Sequence, residues 1–259
     1  MISWNFEPNI LVTQYVKRIM TCQPGILRWV DRAMDELFPW RCVVCTLSCS
    51  KPGICKVCKA GMPWNTKACS RCGLPLPDAR DTCCGACLSN PPAYRSVASP
   101  LLFEFPVNRL IHRFKFNRHM ASGSVLAWLA HDRLLAASRE QPDVLVPVPM
   151  HRWRILKRGL NPSFVLATQI GRYLDIPVAT HELQRRRHTA TQTGLDAAHR
   201  RKNLRGAFRW TGQHLDGKHI VLVDDVMTTG STIAECSREI LSNSSSRISA
   251  WTIARAVQS

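Results

Sequence analysis

Acidic residues are scarce in this chain: 18 Asp and Glu stand against 35 Lys and Arg, a formal charge of +17 over 259 residues. A surface so short of negative charge attracts polyanions, whether nucleic acid, phosphorylated small molecules or an anionic membrane face. Long apolar runs are missing as well. No stretch reaches the roughly 18 uninterrupted apolar residues that a membrane-spanning helix needs. The start lacks the layout of a secretory signal, because Glu7 comes early and Lys17 and Arg18 come late. These absences set the expectation of a cytoplasmic protein without a membrane span. Also absent is a Gly-Lys-Ser/Thr sequence closing a glycine-rich run, which excludes a Walker phosphate loop. What is present is a core. Hydrophobic residues make up 45% and charged residues 20%, ordinary for a globular chain and wrong for a disordered or collagen-like one.

Cysteine is abundant and unevenly placed. Ten of the twelve lie between Cys42 and Cys87, with Cys22 and Cys236 outside. Four C-x-x-C pairs organise the cluster: Cys42/Cys45, Cys55/Cys58, Cys69/Cys72 and Cys84/Cys87. A C-x-x-C turn aims two thiolates at one centre, and a second turn completes the four sulfurs that Zn²⁺ favours. A disulfide framework would also use an even number, but it needs an oxidising compartment, and no export signal is present. Iron–sulfur ligation competes too, since four thiolates suit a cluster. Zinc fits best, and structurally: an all-sulfur site is closed, whereas a catalytic zinc keeps a water position and usually a histidine. Sequential pairing would give Cys42, Cys45, Cys55 and Cys58 one ion and Cys69, Cys72, Cys84 and Cys87 another. Interleaved pairing is equally open on stereochemical grounds. Cys49 and Cys83 are left over. Gly53, Gly61, Gly73 and the intervening prolines mark a loop-rich module whose folding energy would come from the metal.

Asn90-Pro91-Pro92 closes that module with a linker signal. Beyond it, helices are expected over 106–118 and 121–138, a buried strand over 143–148, and a helix over 162–174 with Pro162 in its first turn. A short strand is expected over 176–179, then a strand over 219–223, a helix over 231–241 and a last strand over 248–254. Apolar strands separated by helices predict an α/β domain with a mainly parallel sheet flanked by helices. The expected plan is an extension over 1–36, a Cys-rich module over 37–92 and the α/β domain over 93–259.

The sharpest chemistry sits at Ile220-Val-Leu-Val-Asp-Asp-Val-Met-Thr-Thr-Gly-Ser-Thr232. An apolar strand delivers Asp224 and Asp225 to its carboxyl end, where open α/β sheets bind ligands. Thr228, Thr229, Gly230, Ser231 and Thr232 then form a hydroxyl-rich turn at a helix N-terminus. Gly230 permits close backbone approach, and the exposed amides and hydroxyls suit a phosphate dianion. An ordinary helix cap beside two solvated acids is the plainer alternative. On the expected strand end, both acids face solvent and contribute little to stability.

These thirteen residues resemble the phosphoribosyl-pyrophosphate (PRPP) loop of the type I phosphoribosyltransferases. From Leu37 onward the order of motifs is similar to that of the ComF/GntX family of competence and DNA-utilisation proteins. The matching pieces are Cys69-Ser-Arg-Cys-Gly-Leu-Pro-Leu-Pro77, Leu110-Ile-His-Arg-Phe-Lys-Phe116, Val146-Pro-Val-Pro149 and Asn203-Leu-Arg-Gly-Ala-Phe208. The resemblance implies a type I phosphoribosyltransferase-like α/β fold over 93–259, behind a small double-zinc-ribbon-like module. It implies Mg²⁺ with PRPP as ligand: Asp224 and Asp225 on the ribose hydroxyls, Thr228 to Thr232 on the 5-phosphate. By the same resemblance, Arg152, Arg154 and Arg158 fall where the family's pyrophosphate loop lies. Arg185, Arg187, Thr189, Gln192, Arg200 and Asn203 fall in its loop that closes over pyrophosphate, where cations would stabilise the leaving group. One departure is Arg158-Gly-Leu-Asn-Pro162, where the family reads Arg-Gly-Phe-Asn-Gln, so no amide side chain is expected at 162.

Positive charge is concentrated. Residues 185–209 hold eight Lys and Arg against one acid, Asp196. Arg113, Lys115 and Arg118 alternate with Phe114 and Phe116, and Trp153 and Trp210 stand near further cations. Such mixtures suit single-stranded DNA, whose phosphates meet cations while bases stack on rings. The plainer alternative is a core Phe114 beside solvated cations. On the first reading Arg113 and Lys115 form a DNA track separate from the phosphate site. Three functions fit: a ComF-like protein binding PRPP and single-stranded DNA in DNA uptake or nutritional use of DNA, with a possible partner in the uptake machinery; a phosphoribosyltransferase acting on a nucleobase or other acceptor; and a PRPP-responsive regulator without turnover. No residue is singled out as catalytic.

Overall fold

The computed structural model describes residues 40–77, 82–138, 140–187 and 204–257. Five strands, β1 (Val97–Ala98), β2 (Leu101–Leu102), β3 (Val144–Pro147), β6 (His219–Met227) and β7 (Arg247–Arg255), form one sheet in the order β1-β7-β6-β3, with β2 also on β7. Every pairing in it is parallel. β1 and β2 occupy successive stretches of β7, Val97 opposite Ala250 and Leu101 opposite Ala254, so they are one edge strand interrupted at Ser99-Pro100. On the other edge the expected strand over 176–179 shrinks to a single bridge, Leu145 to Val178. Pro177 has no N–H to give, and the contact rests on Leu145 N–H to Pro177 O and Ala179 N–H to Leu145 O, both 2.9 Å.

The central strands are apolar throughout because both faces are covered. Leu145, Val221, Val223, Trp251 and Ile253 pack on α3 (Val107–Asn117), α4 (Met120–Ala136) and α6 (Pro162–Leu174). Their alternates Val144, Val146, Ile220, Leu222 and Ile248 pack on α7 (Ser231–Leu241) and on Leu183, Phe208 and Trp210. Those last residues belong to an antiparallel pair, β4 (Leu183–Arg185) with β5 (Phe208–Trp210). α6 begins where the sequence places it: the Asn161 side chain caps Ser163 N–H, and Pro162 sits in the first turn.

The Cys-rich region carries two short helices, α1 (Lys56–Ala60) and α2 (Gly85–Ser89). Its first half joins the core through Cys42, Val43, Ile54 and Met62, and Lys59 and Arg133 lie over the Trp128 and Trp64 rings at 4.4 and 4.1 Å. Its second half lies along the β1 edge, where Val97 N–H donates to Ser70 O at 3.0 Å. No helix among the described residues is long and apolar enough to cross a membrane.

Candidate functional site

Eight cysteine sulfurs gather into two groups of four: Cys42, Cys45, Cys55 and Cys58, and Cys69, Cys72, Cys84 and Cys87. The pairing is therefore sequential. Within each group all sulfurs lie within 4.8 Å of one another, with Cys45 to Cys55 at 3.8 Å and Cys72 to Cys84 at 3.6 Å. A tetrahedral ion with Zn–S bonds of about 2.3 Å spaces its sulfurs about 3.8 Å apart, so the donor set fits zinc. Backbone amides already favour anionic sulfur: Cys58 N–H points at Cys55 Sγ at 3.4 Å and Cys84 N–H at Cys69 Sγ at 3.3 Å. Burial works to raise the Cys42 and Cys69 thiols, yet surrounding amide donors bring both down to about 6. Cys83 stands 3.8 Å from Cys69, beside the second group rather than in it. The eleven described cysteines form no disulfide.

The acid pair lies inside β6, not at its end. The strand continues to Met227, with Asp224 opposite Thr252 and Met227 opposite Arg255 on β7. Asp225 is only 6% exposed, and Lys115 Nζ, reaching over from α3, sits 2.6 Å from its Oδ1. Asp224 accepts from Ser163 Oγ at 2.8 Å, a group delivered by the first turn of α6. Burial and the neighbouring Asp225 charge push the Asp224 carboxyl up to about 7, against the pull of Lys115 and Ser163. Two expectations are overturned here. The acids are not solvent-facing, and Lys115 is no part of a separate track but the counter-ion of the acid pair. Arg113 is engaged as well, donating to Val43 O at 3.0 Å in the first cysteine group's loop.

The turn after β6 has the expected shape. Gly230 has φ +75, a left-handed conformation that a side chain would strain, so the position favours glycine. Thr229 Oγ1 and Ser231 Oγ are 2.8 Å apart, and Ser231 N–H opens α7. Thr228 is exposed and Thr232 half-buried at the same helix start. Amides, hydroxyls and the positive end of the α7 dipole converge there, an arrangement that binds phosphate.

Cations approach from two directions. Arg152, Arg154 and Arg158 belong to α5 (Arg152–Arg158), so the segment expected as a loop is helical, capped by the His151 side chain. Arg185 ends β4, its guanidinium 5.6 Å over the Phe208 ring. Burial and then the Arg154 charge lower its pKa, while Cys236 and Asp224 work the other way, which places Arg154, Arg185 and Asp224 in one electrostatic neighbourhood. Arg158 lies over Phe116 at 4.7 Å, and Arg187 reaches Arg205 O at 3.4 Å. Thr189, Gln192, Arg200 and Asn203 lie outside the described residues. Between α5, α6 and β4 opens a cleft of about 720 Å³, lined among others by His151, Arg152, Ile155, Phe164, Arg185 and Arg186.

A doubly covered parallel sheet, an acid pair followed by a phosphate-shaped turn, and a pair of four-cysteine centres define a phosphoribosyltransferase domain joined to a double zinc ribbon. Family models agree: the double zinc ribbon domain matches residues 33–88 and the phosphoribosyl transferase domain residues 116–258. DNA utilization protein YhgH of Escherichia coli K12 is 35% identical over 223 residues, covering 84% of this chain and 97% of that protein. Competence protein F of Haemophilus influenzae is 33% identical over 231 residues, covering 86% and 100%. The chain belongs to the ComF/GntX family these proteins represent, and its cysteine centres are structural zinc sites. Among solved structures, a purine phosphoribosyltransferase from Pyrococcus horikoshii covers 52% of this chain and 85% of its own length at 15% identity and a TM-score of 0.33, too loose a likeness to add to the assignment.

Proposed function

We propose that this chain works in DNA uptake or in the use of DNA as a nutrient, binding Mg²⁺–PRPP through its α/β domain and single-stranded DNA on its basic surface. The observation that carries the PRPP reading is the convergence of Asp224, Asp225, Lys115 and Ser163 on the strand that leads into the 228–232 turn. In this reading Asp224 and Asp225 accept from the ribose hydroxyls, and Mg²⁺ bound with the ligand would offset its negative charge. Thr228, Thr229, Gly230, Ser231 and Thr232 hold the 5-phosphate, and Arg154 and Arg185 face the pyrophosphate. Calorimetric titration with Mg²⁺–PRPP should give a saturable heat in the wild type and none for Asp224→Asn. Equal heats in both proteins would place the ligand elsewhere.

The DNA reading moves from α3 to α5. No residue of α5 is buried, Trp153 and Leu156 are 64% and 72% exposed, and Phe116 is 57% exposed beneath Arg158. Two helical turns carrying four cations and burying nothing are weakly supported by their own chain. A polyanion with stackable bases would neutralise and cover them. Trp153→Ala should weaken binding of a single-stranded oligonucleotide by about 1–3 kcal/mol in a fluorescence titration, with Mg²⁺–PRPP affinity unchanged. A loss of both, or of neither, would remove α5 from DNA binding.

A second reading, pentosyl transfer, draws on the cleft between α5, α6 and β4, which has room for an acceptor. There the acceptor would bond ribose C1 as pyrophosphate leaves with the bonding electrons, and the acceptor's proton would pass to water. Release of pyrophosphate from labelled PRPP, with free bases and oligonucleotides as acceptors, tests it. The division at residues 36 and 92, a cytoplasmic location and a protein partner in the uptake machinery complete the proposal.

A further inference from the structure

Arg255 closes the last strand of the sheet and is buried, 5% exposed. Its Nε donates to Cys72 O, inside the second zinc ribbon, at 2.8 Å. Its Nη1 donates to Met227 O at 3.0 Å and also takes the carbonyls of Thr228 and Ala256. Met227 and Thr228 are the two residues that lead into the phosphate turn, so one guanidinium spans the gap between a metal centre and that turn. A buried cation is costly without an opposing charge. Among the described residues no carboxylate pairs with Arg255. Its Nε partner Cys72 is itself one of the four sulfur donors of the second centre, so that centre is the charged group its contacts reach. Tyr94 also reaches the turn, its hydroxyl 3.2 Å from where a Gly230 Cβ would stand.

A Zn²⁺ held by four thiolates has a formal net charge of about −2. The loaded second ribbon therefore supplies the negative partner that the sheet denies Arg255. We propose that Arg255 is a positioning residue that couples zinc in the second ribbon to the geometry of the phosphate turn. With zinc present, the guanidinium is held between Cys72 O and the Met227 and Thr228 carbonyls, and the turn is preformed. When the metal is lost, a buried unpartnered cation remains, Arg255 withdraws, and the turn loses the anchor beneath it. Coupling between two sites is reciprocal, so phosphate ligation at the turn retains the second zinc more firmly and leaves the first ribbon's zinc untouched. The ligand half of this inference rests on the PRPP reading above; the backbone half does not.

The test uses the full chain loaded with two zinc ions. In Arg255→Met, amide hydrogen exchange over 227–233 should accelerate at least tenfold while elemental analysis still finds two zinc per chain. Mg²⁺–PRPP affinity should fall at least tenfold, with Arg255→Lys between the two. Zinc release to a chromogenic chelator should be biphasic in the wild type, and Mg²⁺–PRPP should slow one phase only; in Arg255→Met it should slow neither. Cys87→Ala, which empties the second centre and leaves the Cys72 carbonyl in place, should reproduce the faster exchange. Cys58→Ala in the first ribbon should leave exchange over 227–233 as in the wild type. Unchanged exchange in Arg255→Met at full zinc loading would overturn the coupling. Should the wild type bind no PRPP, the PRPP reading fails, and the exchange arm alone decides whether Arg255 holds the turn.

Discussion

The two zinc ribbons have the same four-sulfur chemistry and different surroundings. The first is continuous with the main core: Cys42, Val43, Ile54 and Met62 share an apolar cluster with Val125, Leu126 and Phe114. Among the described residues the second contributes no buried side chain to either apolar cluster and meets the sheet through backbone groups, Ser70 O with Val97 N–H and Cys72 O with Arg255. A metal centre tied into packing governs whether the domain holds together. On the coupling proposed above, one tied to the 228–232 turn by a single side chain governs what the domain does once folded.

The largest expected effect tests the first half of that contrast. Cys42→Ser removes a buried ligand of the first ribbon, and structural zinc contributes on the order of 10 kcal/mol of folding free energy. Expression should yield insoluble or protease-sensitive protein, whereas Cys87→Ser should stay soluble with zinc falling toward one per chain. Comparable insolubility of both would erase the distinction between the ribbons. Next in size, Asp225→Asn strands the Lys115 ammonium beside a neutral amide. A loss of about 1–3 kcal/mol in urea unfolding is expected, at the low end for a broken buried pair because Lys115 keeps some contact with water. A stability equal to wild type would return the acids to the solvent-facing role that the sequence suggests. The smallest effect is a pH slope. Asp224 has a raised pKa in the fold, about 7, so between about pH 4 and 7 the folded state binds more protons than the unfolded chain. Stability without ligand should therefore fall as pH rises through that window. Asp224→Asn should flatten the slope; an unflattened slope would assign it to another group.

Much of this was legible in the chain itself. C-x-x-C spacing announces metal, and apolar β-branched runs announce a parallel sheet that ends in a Thr-Thr-Gly-Ser-Thr turn. The helix over 162–174 and the one over 231–241 fall where the pattern puts them. What stayed hidden is long-range. Lys115 lies 110 residues before its partner Asp225, on a helix whose alternating cations and rings read equally well as a nucleic-acid surface. Ser163 carried no signal in the sequence, since its bond to Asp224 crosses 61 residues. Arg255 did leave a trace, since it is the one charge ending the apolar run Trp251-Thr-Ile-Ala-Arg255. A cation at the carboxyl end of a buried strand has to be answered from elsewhere in the fold, and no local pattern says from where.

β6 stays paired on β7 past both acids, which fixes their backbone on the strand. On the PRPP reading, the part that has to move is the lysine. A sugar diol that reaches Asp225 has to displace an ammonium 2.6 Å away, which makes Lys115 a gatekeeper in time as well as a counter-ion in space. Salt screens so buried a pair only weakly, so ionic strength should weaken the grip on the ligand's phosphates while leaving the displacement of Lys115 nearly unchanged.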